Sequence, residues 1–453
     1  MLSLFSFPKS LFLLISVLFI LITIMNFKKG LLIFLFLTPL IPMHISLYLG
    51  ESVPLITFQR IGLIILILVW ITKYLVSENH KIEKVPLLGL FSLFLFLVFI
   101  SSVLSTNSGV SLKEFFSERV IGILFIYFLV FQEIKSRVDI KRFLCILLIS
   151  GFIVSALGIY EFYSGENLFF KMHLIPEQKL QALGFGYYRI RAGFMRVQST
   201  FSHPLGLAAY LVFLIPLAIA LPFNSDLKNK RLLTALLLVT FTVCLFFTFS
   251  RGAWLILIVI LFILARKKKL LIWGVLLLMV FLFVLFWGQI GWLSYSKTIY
   301  RWWLWKGGLR AVIQHPLIGT GLNTFKQQVV VLTDTGGRTG TDPMVYLLNQ
   351  LVENGIPAFT ILIALFLSLI LKIKKSFRTF LALNDPAFSQ LSLSILGAFA
   401  GSLLLSSFSL GILNSSAGII IFWATVAVSM RLWLISKSEK KISIKQGEKN
   451  GES

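Results

Sequence analysis

Long apolar blocks alternate with short polar connections along almost the whole chain. Blocks of roughly 17 to 25 residues, enough to cross about 30 Å of hydrocarbon as helix, start near Leu11, Leu31, Ile56, Pro86, Val120, Phe143, Pro204, Leu232, Ala253, Leu270, Val345, Leu391 and Ile412. Their apolarity is continuous and lacks the period-2 alternation of a barrel strand. Backbone polar groups must be satisfied internally in lipid, so such blocks predict helices. The predicted fold class is all-α, a polytopic integral membrane protein with about 12 to 13 transmembrane helices. The first block runs into Asn26-Phe27-Lys28-Lys29 without a small-residue cleavage site, so it reads as a retained helix. Pro39 and Pro42 interrupt the second block. If that block failed to span, Lys28 and Lys29 would turn outward.

Composition agrees with the pattern. Of 453 residues, 57% are hydrophobic and 13% charged, where soluble domains carry about a quarter charged residues. The formal charge of +24 would suggest nucleic acid in a soluble chain. Here most of it falls in alternate connections: Lys28-Lys29, Lys81 and Lys84, Lys135 to Arg142, Lys228 to Arg231, Arg266 to Lys269, and Lys372 to Arg378. The positive-inside rule makes these loops cytoplasmic, so no nucleic-acid partner is implied. Cys145 and Cys244 each sit inside an apolar block and read as packing residues.

The chain then divides into residues 1–288, transmembrane helices with an outer loop at 164–202; residues 289–344, an outer insertion with interfacial helices; residues 345–436, three further helices; and residues 437–453, a basic cytoplasmic tail. The insertion carries Arg301-Trp302-Trp303-Leu304-Trp305-Lys306, then Arg310, Lys326 and Arg338. The outer loop carries Arg189, Arg191 and Arg196, and Arg251 sits in a tight hairpin. Arginine is the commoner cation on these outer segments and lysine on the inner ones. A guanidinium fork pairs bidentately with phosphate oxygens, so an outward phosphate or pyrophosphate site is expected. Each cation also has a plainer reading. Arg251 could snorkel to the headgroups, and Arg301 could belong to a surface helix anchored by its tryptophans. Lys306, Arg310 and Gln314 share a stripe near Trp303 while Arg301 points away, so the segment is not expected to be cleanly amphipathic.

Familiar catalytic signatures are missing. There is no phosphate-binding Walker loop, Gly-rich dinucleotide turn, His-Glu-x-x-His or Asp-x-Asp pair. Neither cofactor nor metal is expected. His203-Pro204 opens a helix whose N-terminus favours anions.

Several segments, in order, resemble the superfamily of O-antigen ligases and O-antigen polymerases: Gly158-Ile159-Tyr160-Glu161-Phe162-Tyr163-Ser164-Gly165, Arg196-Val197-Gln198-Ser199-Thr200-Phe201-Ser202-His203-Pro204, Ser250-Arg251-Gly252-Ala253-Trp254, Arg301 with Trp305, His315-Pro316-Leu317-Ile318-Gly319-Thr320-Gly321, and Leu351-Val352-Glu353-Asn354-Gly355-Ile356-Pro357. The resemblance implies a multi-helix glycosyltransferase of the bacterial inner membrane with a periplasmic active site. It also implies a glycan donor on undecaprenyl pyrophosphate and an acceptor that is either another glycan or lipid A core, with a chain-length regulator as a candidate partner. Ligases of the family carry a His-Asn pair eleven residues before the glycine of the Glu-x-Gly element; here Met344-Val345 stands there. Leu205 also replaces the asparagine that commonly follows the proline. Both departures favour the polymerase side over a lipid A core ligase.

The expected chemistry is displacement at the anomeric carbon with pyrophosphate leaving, aided by fixed cations that stabilise the growing charge. Arg251 and Arg301 are expected on the pyrophosphate, and Arg196 there or on the glycan. Asp342, Glu353 and Glu161 are candidates for the base. Arg191, Arg310, Arg338 and His203 complete the expected binding set. A lipid-linked glycan transporter is the rival from another class; its repeated halves and midplane charges are not evident here.

Overall fold

The computed structural model describes residues 7–48, 55–76, 82–117, 120–170, 189–191, 193–224, 229–264, 269–285, 295–333, 345–409 and 411–451. In chain order its helices are α1 (Phe7–Met25), α2 (Phe27–Leu37), α3 (Phe58–Val76), α4 (Leu88–Val103), α5 (Ser108–Phe115), α6 (Ile121–Glu133), α7 (Arg137–Ser164), α8 (Pro204–Asn224), α9 (Lys230–Phe247) and α10 (Arg251–Leu264). There follow α11 (Lys269–Leu285), α12 (Tyr295–Gln314), α13 (Phe325–Thr333), α14 (Tyr346–Ala382), α15 (Pro386–Phe408) and α16 (Ser416–Gly451). Two short hairpins, β1 (Ser46–Leu47) with β2 (Ile56–Thr57) and β3 (Ile190–Arg191) with β4 (Phe194–Met195), are the strands among the described residues. The fold is all-α and polytopic. By length and composition, α3, α7, α8, α14, α15 and α16 can each cross a membrane.

Every apolar block became a helix, but the second is short. Helix α2 has 11 residues, about 16 Å of rise, well under a bilayer core. It folds back on α1 at Asn26, whose side chain accepts from Lys29 N–H and caps the new helix. Lys28 stays on the basic side, 2.5 Å from Asp139. Pro39 and Pro42 end α2 early, and the buried Gln59 amide donates to the carbonyls of Thr38 and Ile41. Irregular backbone is tolerated at such depth only when protein groups satisfy it in this way.

Two ends are distinguished by what their connections bind. Helix α7, 28 residues and about 42 Å long, runs from one to the other. At its first end Arg137 pairs with Asp385 and Glu439, and Lys135 with Glu83, which Arg431 also engages. At its last end Glu161 meets the 197–199 segment, beside Thr200, whose hydroxyl donates to Pro39 O. Helix α8 forms the centre, with 89% of its apolar span buried. Its neighbours approach closely because Gly151 of α7 faces Leu214, and Gly401 of α15 faces Ile260 and Val212. Small residues at such contacts are the usual device for packing helices without a hydrophobic drive in lipid.

Candidate functional site

At the end opposite the basic cluster, the β3–β4 hairpin turns through Gly193, whose φ of 81° suits a residue without Cβ. Ile190 pairs with Met195, and one step outward Arg196 N–H donates to Arg189 O at 2.8 Å. Arg189 and Arg196 therefore face each other across the strand ends. Phe194 stacks on Phe162 and on Phe249, and Phe162 on Phe247 at 3.8 Å, so an aromatic pile fixes the hairpin against α7 and α9.

The hairpin is also tied to the turn that carries Arg251. Val197 N–H donates to Phe247 O, and Arg196 Nε to Thr248 O at 2.8 Å. Phe249, at φ 49°, bends the chain back. Trp254 Nε1 closes the turn on Leu245 O and its ring stacks on Phe246. Arg251 is the first residue of α10 and half-buried. His203 completes the group. Its Nδ1 accepts Leu205 N–H at 2.9 Å, capping α8 just ahead of Pro204. Burial, with Arg189 and Arg196 nearby, pushes its pKa down to about 3, so the ring is neutral at physiological pH. A cation there would be a third in one place.

Glu161 sits beneath. Its carboxylate accepts Ser199 N–H at 2.6 Å and Gln198 N–H at 3.3 Å, while Asn167 Nδ2 holds Ser199 O. Ser199 has φ 51°, a strained conformation that these bonds pay for. Glu161 thus shapes the loop that presents Arg196 and His203, and its oxygens face backbone amides.

A second assembly joins the 315–321 and 353–357 motifs. Helix α14 breaks at Gly355 (φ 74°, ψ 174°), followed by Pro357. The 316–321 segment lies against the break: Thr320 N–H donates to Val352 O, Gly321 N–H to Glu353 O, and Ile356 N–H to Pro316 O. Gly319, at φ 75°, touches Glu353 and Gly355 backbone so closely that a Cβ would collide with both. Ser101 Oγ donates to Glu353 O, and Ser105 Oγ to Thr320 O. The buried Glu353 carboxylate accepts Phe325 N–H at the start of α13 and Asn349 Nδ2, both at 3.3 Å. It also lines a pocket of about 130 Å³ with Glu114, Asn323, Asn349, Gln350 and Asn414. Glu114 and the amides escaped the sequence reading, although Asn349 lies one turn before Glu353.

Helix α12 packs Leu304, Gly307, Gly308 and Ala311 inward, with Gly308 against Leu348 of α14. On the outward side Trp302, Trp305, Leu309 and Ile313 form an exposed apolar stripe. Lys306 and Arg310 lie exposed along one edge of it, with Lys306 Nζ over the Trp303 ring. The packed face of α12 is made largely of glycine and alanine, and its exposed surface mixes tryptophan and aliphatic side chains with Lys306 and Arg310.

The structure brings Arg196 and His203 together with Arg189 and ties them to the turn that carries Arg251, and it groups Glu353 with the 315–321 motif. Arg301 falls on α12 and Arg191 on β3, but their side chains lie outside what is described, as do Asp342, Arg338 and Met344. Residues 236–363 match the family model described as O-antigen ligase. No curated protein matches the chain.

Proposed function

We propose, from the match of residues 236–363 to a family model described as O-antigen ligase and from the arginine end of the fold, that this chain extends surface polysaccharide by glycosyl transfer from a polyprenyl-pyrophosphate donor. The donor is undecaprenyl pyrophosphate carrying a glycan, and the arginine end faces the periplasm across the bacterial inner membrane. The observation that carries this reading is the hairpin that sets Arg189 and Arg196 opposite each other, next to a neutral His203 and the Arg251 turn. Like charges directly opposite in a ladder are destabilising. A polyanion seated among them reverses that sign.

In the reaction the bond from the anomeric carbon to the pyrophosphate oxygen breaks and a bond to the acceptor hydroxyl oxygen forms. The acceptor proton passes to a carboxylate, and polyprenyl pyrophosphate leaves with the electron pair. Arginines fixed before the reaction stabilise that charge without reorganising, which is where preorganised donors have most effect. Glu353, whose carboxylate lines the pocket, is a described candidate for the base. Asp342 remains the other.

Polymerisation of repeat units is the reading favoured by Met344, which stands where ligases carry histidine. Ligation to lipid A core is the second reading, and the description of the matched family model as O-antigen ligase supports a ligase in general terms. Purified protein in liposomes, given a polyprenyl-pyrophosphate oligosaccharide, should form longer glycans and release polyprenyl pyrophosphate. Transfer only when lipid A core is added would assign a ligase. Movement of the lipid-linked glycan across the bilayer without new bonds would overturn both in favour of a transporter.

A further inference from the structure

The basic end holds a groove that glycosyl transfer does not use. It opens between the α1–α2 turn, the last turns of α3 and the end of α6. One chamber, of about 300 Å³, receives Lys28, Lys73 and Lys135 together with Glu133, Trp70 and Tyr74. A second, of about 500 Å³, shares Lys28 and Lys73 but is otherwise walled largely by apolar residues of α1 and α3, among them Met25, Val69 and Val76.

Cationic loops at this end are what topology requires, and topology alone would scatter them in water. Here three ammonium groups converge on one concavity floored by aromatic rings. Trp70 stacks on Tyr74 at 5.5 Å and meets Phe128 edge-on at 5.0 Å. Lys73 lies over Phe27. Lys28 is held by Asp139 and Lys135 by Glu83, which also serves Arg431. Counting Lys28, Lys73, Lys135 and Arg431 against Asp139, Glu83 and Glu133 leaves one positive charge. Each ammonium carries three donors; Lys28 and Lys135 each spend one on a carboxylate and Lys73 spends none on a carboxylate among the described residues, so donors remain for a further acceptor.

The adjoining chamber decides what kind of anion fits. Met25 and Val76 are more than four-fifths exposed at its rim, and Leu21, Leu68 and Leu75 continue the apolar surface along α1 and α3. A free phosphate or nucleotide would leave this chamber wet. An amphiphile fills both.

We propose that this groove binds an anionic phospholipid, its phosphodiester among Lys28, Lys73 and Lys135 and an acyl chain in the cleft between α1 and α3. Basic pockets between helices at the cytoplasmic side are suited to acidic lipid headgroups, at about a fivefold gain in binding for each lysine near the surface. The one negative charge of a phosphodiester matches the one positive charge left over. Bound there, the lipid joins the α1–α2 hairpin to α3 and α6, independently of the donor chemistry at the other end.

The test uses the full-length protein in mild detergent. Native mass spectrometry and thermal melting are followed while phosphatidylglycerol, phosphatidylcholine or inorganic phosphate is added. Phosphatidylglycerol alone should give a retained adduct and a raised melting temperature. Lys73→Gln should weaken retention about fivefold, and Lys73→Gln with Lys135→Gln about 25-fold, if the lysines act independently. Lys73 makes no ion pair among the described residues, so its variant should keep the wild-type elution profile and glycan-forming activity. Equal retention of phosphatidylcholine, or undiminished phosphatidylglycerol retention in a well-folded Lys73→Gln variant, overturns the proposal. Protection by inorganic phosphate alone overturns the lipid and leaves an ion site.

Discussion

Replacing Arg196 by alanine tests the donor site most directly. In the structure its Nε donates to Thr248 O at 2.8 Å, a charge-assisted bond whose loss costs about 1.5–3 kcal/mol. Relief of the like charge opposite Arg189 returns roughly 0.2–1 kcal/mol. The net, on the order of 1–2 kcal/mol, loosens the hairpin from the Arg251 turn and leaves the bundle around α8 intact. The catalytic loss is separate and larger. Removing one preorganised donor from the leaving pyrophosphate should cost about 2.7–4 kcal/mol, or 100- to 1000-fold in kcat. Arg196→Lys keeps the charge without the fork, and one ammonium cannot easily serve Thr248 and a phosphate together, so it should fall between. Glycan elongation in proteoliposomes under single-turnover conditions, beside thermal melting of the same preparations, separates the two effects. If Arg196→Ala melts lower yet elongates within a factor of about 3 of wild type, the arginine only pins the turn and the pyrophosphate assignment is wrong.

Gly319→Ala should lose at least about 3 kcal/mol, because the left-handed backbone costs roughly 1–2 kcal/mol and the seam to Glu353 must open; an unchanged melting temperature would contradict the seam. His203 has its folded pKa depressed to about 3, so its contribution is complete above pH 6.5 and is lost as pH falls, by about 1.4 kcal/mol per pH unit. His203→Asn keeps an acceptor for Leu205 N–H and should flatten this part of the stability profile between pH 6.5 and 5; an identical slope would exclude the histidine as its source. Glu353→Gln keeps one oxygen acceptor but should slow elongation about 100-fold or more if the carboxylate takes the acceptor proton; near-normal rates would leave Glu353 holding the seam and pass the base role to Asp342. Brominated lipids should quench wild-type tryptophan fluorescence more than that of Trp302→Phe with Trp305→Phe, since the outward stripe of α12 belongs in the headgroup layer; equal quenching would place α12 away from the bilayer.

The helices were legible because apolarity in lipid leaves few alternatives, and even the short α2 was foreshadowed by Pro39 and Pro42. Arg251 and His203 were legible as constrained polar residues at helix starts. Their meeting with Arg189 and Arg196 was not, since it depends on a two-residue hairpin too short to leave a periodic signal and on one guanidinium bond to Thr248. The glycines of the 319–321 and 355 motifs could be read as turns. That they are backbone-to-backbone contacts between distant segments needed the fold. The neighbours of Glu161 were hidden for a related reason: the backbone amides that its carboxylate accepts from lie 37 and 38 residues away.

Sorting cations by residue type assigned lysine to one face and arginine to the other, and the structure refines the physical reason. Arginine also serves the basic end, where Arg137 forks onto Glu439 through Nε and Nη2 while Nη1 reaches Asp385. Arg431 is buried there against Phe131 and engages Glu83. Guanidinium is used at both ends wherever a rigid, several-armed donor is needed. What differs is the acceptor. At the basic end the described arms of Arg137 fall on protein carboxylates from α15 and α16 and so clamp helices together. At the opposite end the described bond of Arg196 falls on a backbone carbonyl, which fixes the side chain. Two arginines facing each other across a hairpin are costly as scaffolding and useful as a preorganised anion site. Charge counting cannot separate these two uses of one residue, and the identity of the acceptor atom can.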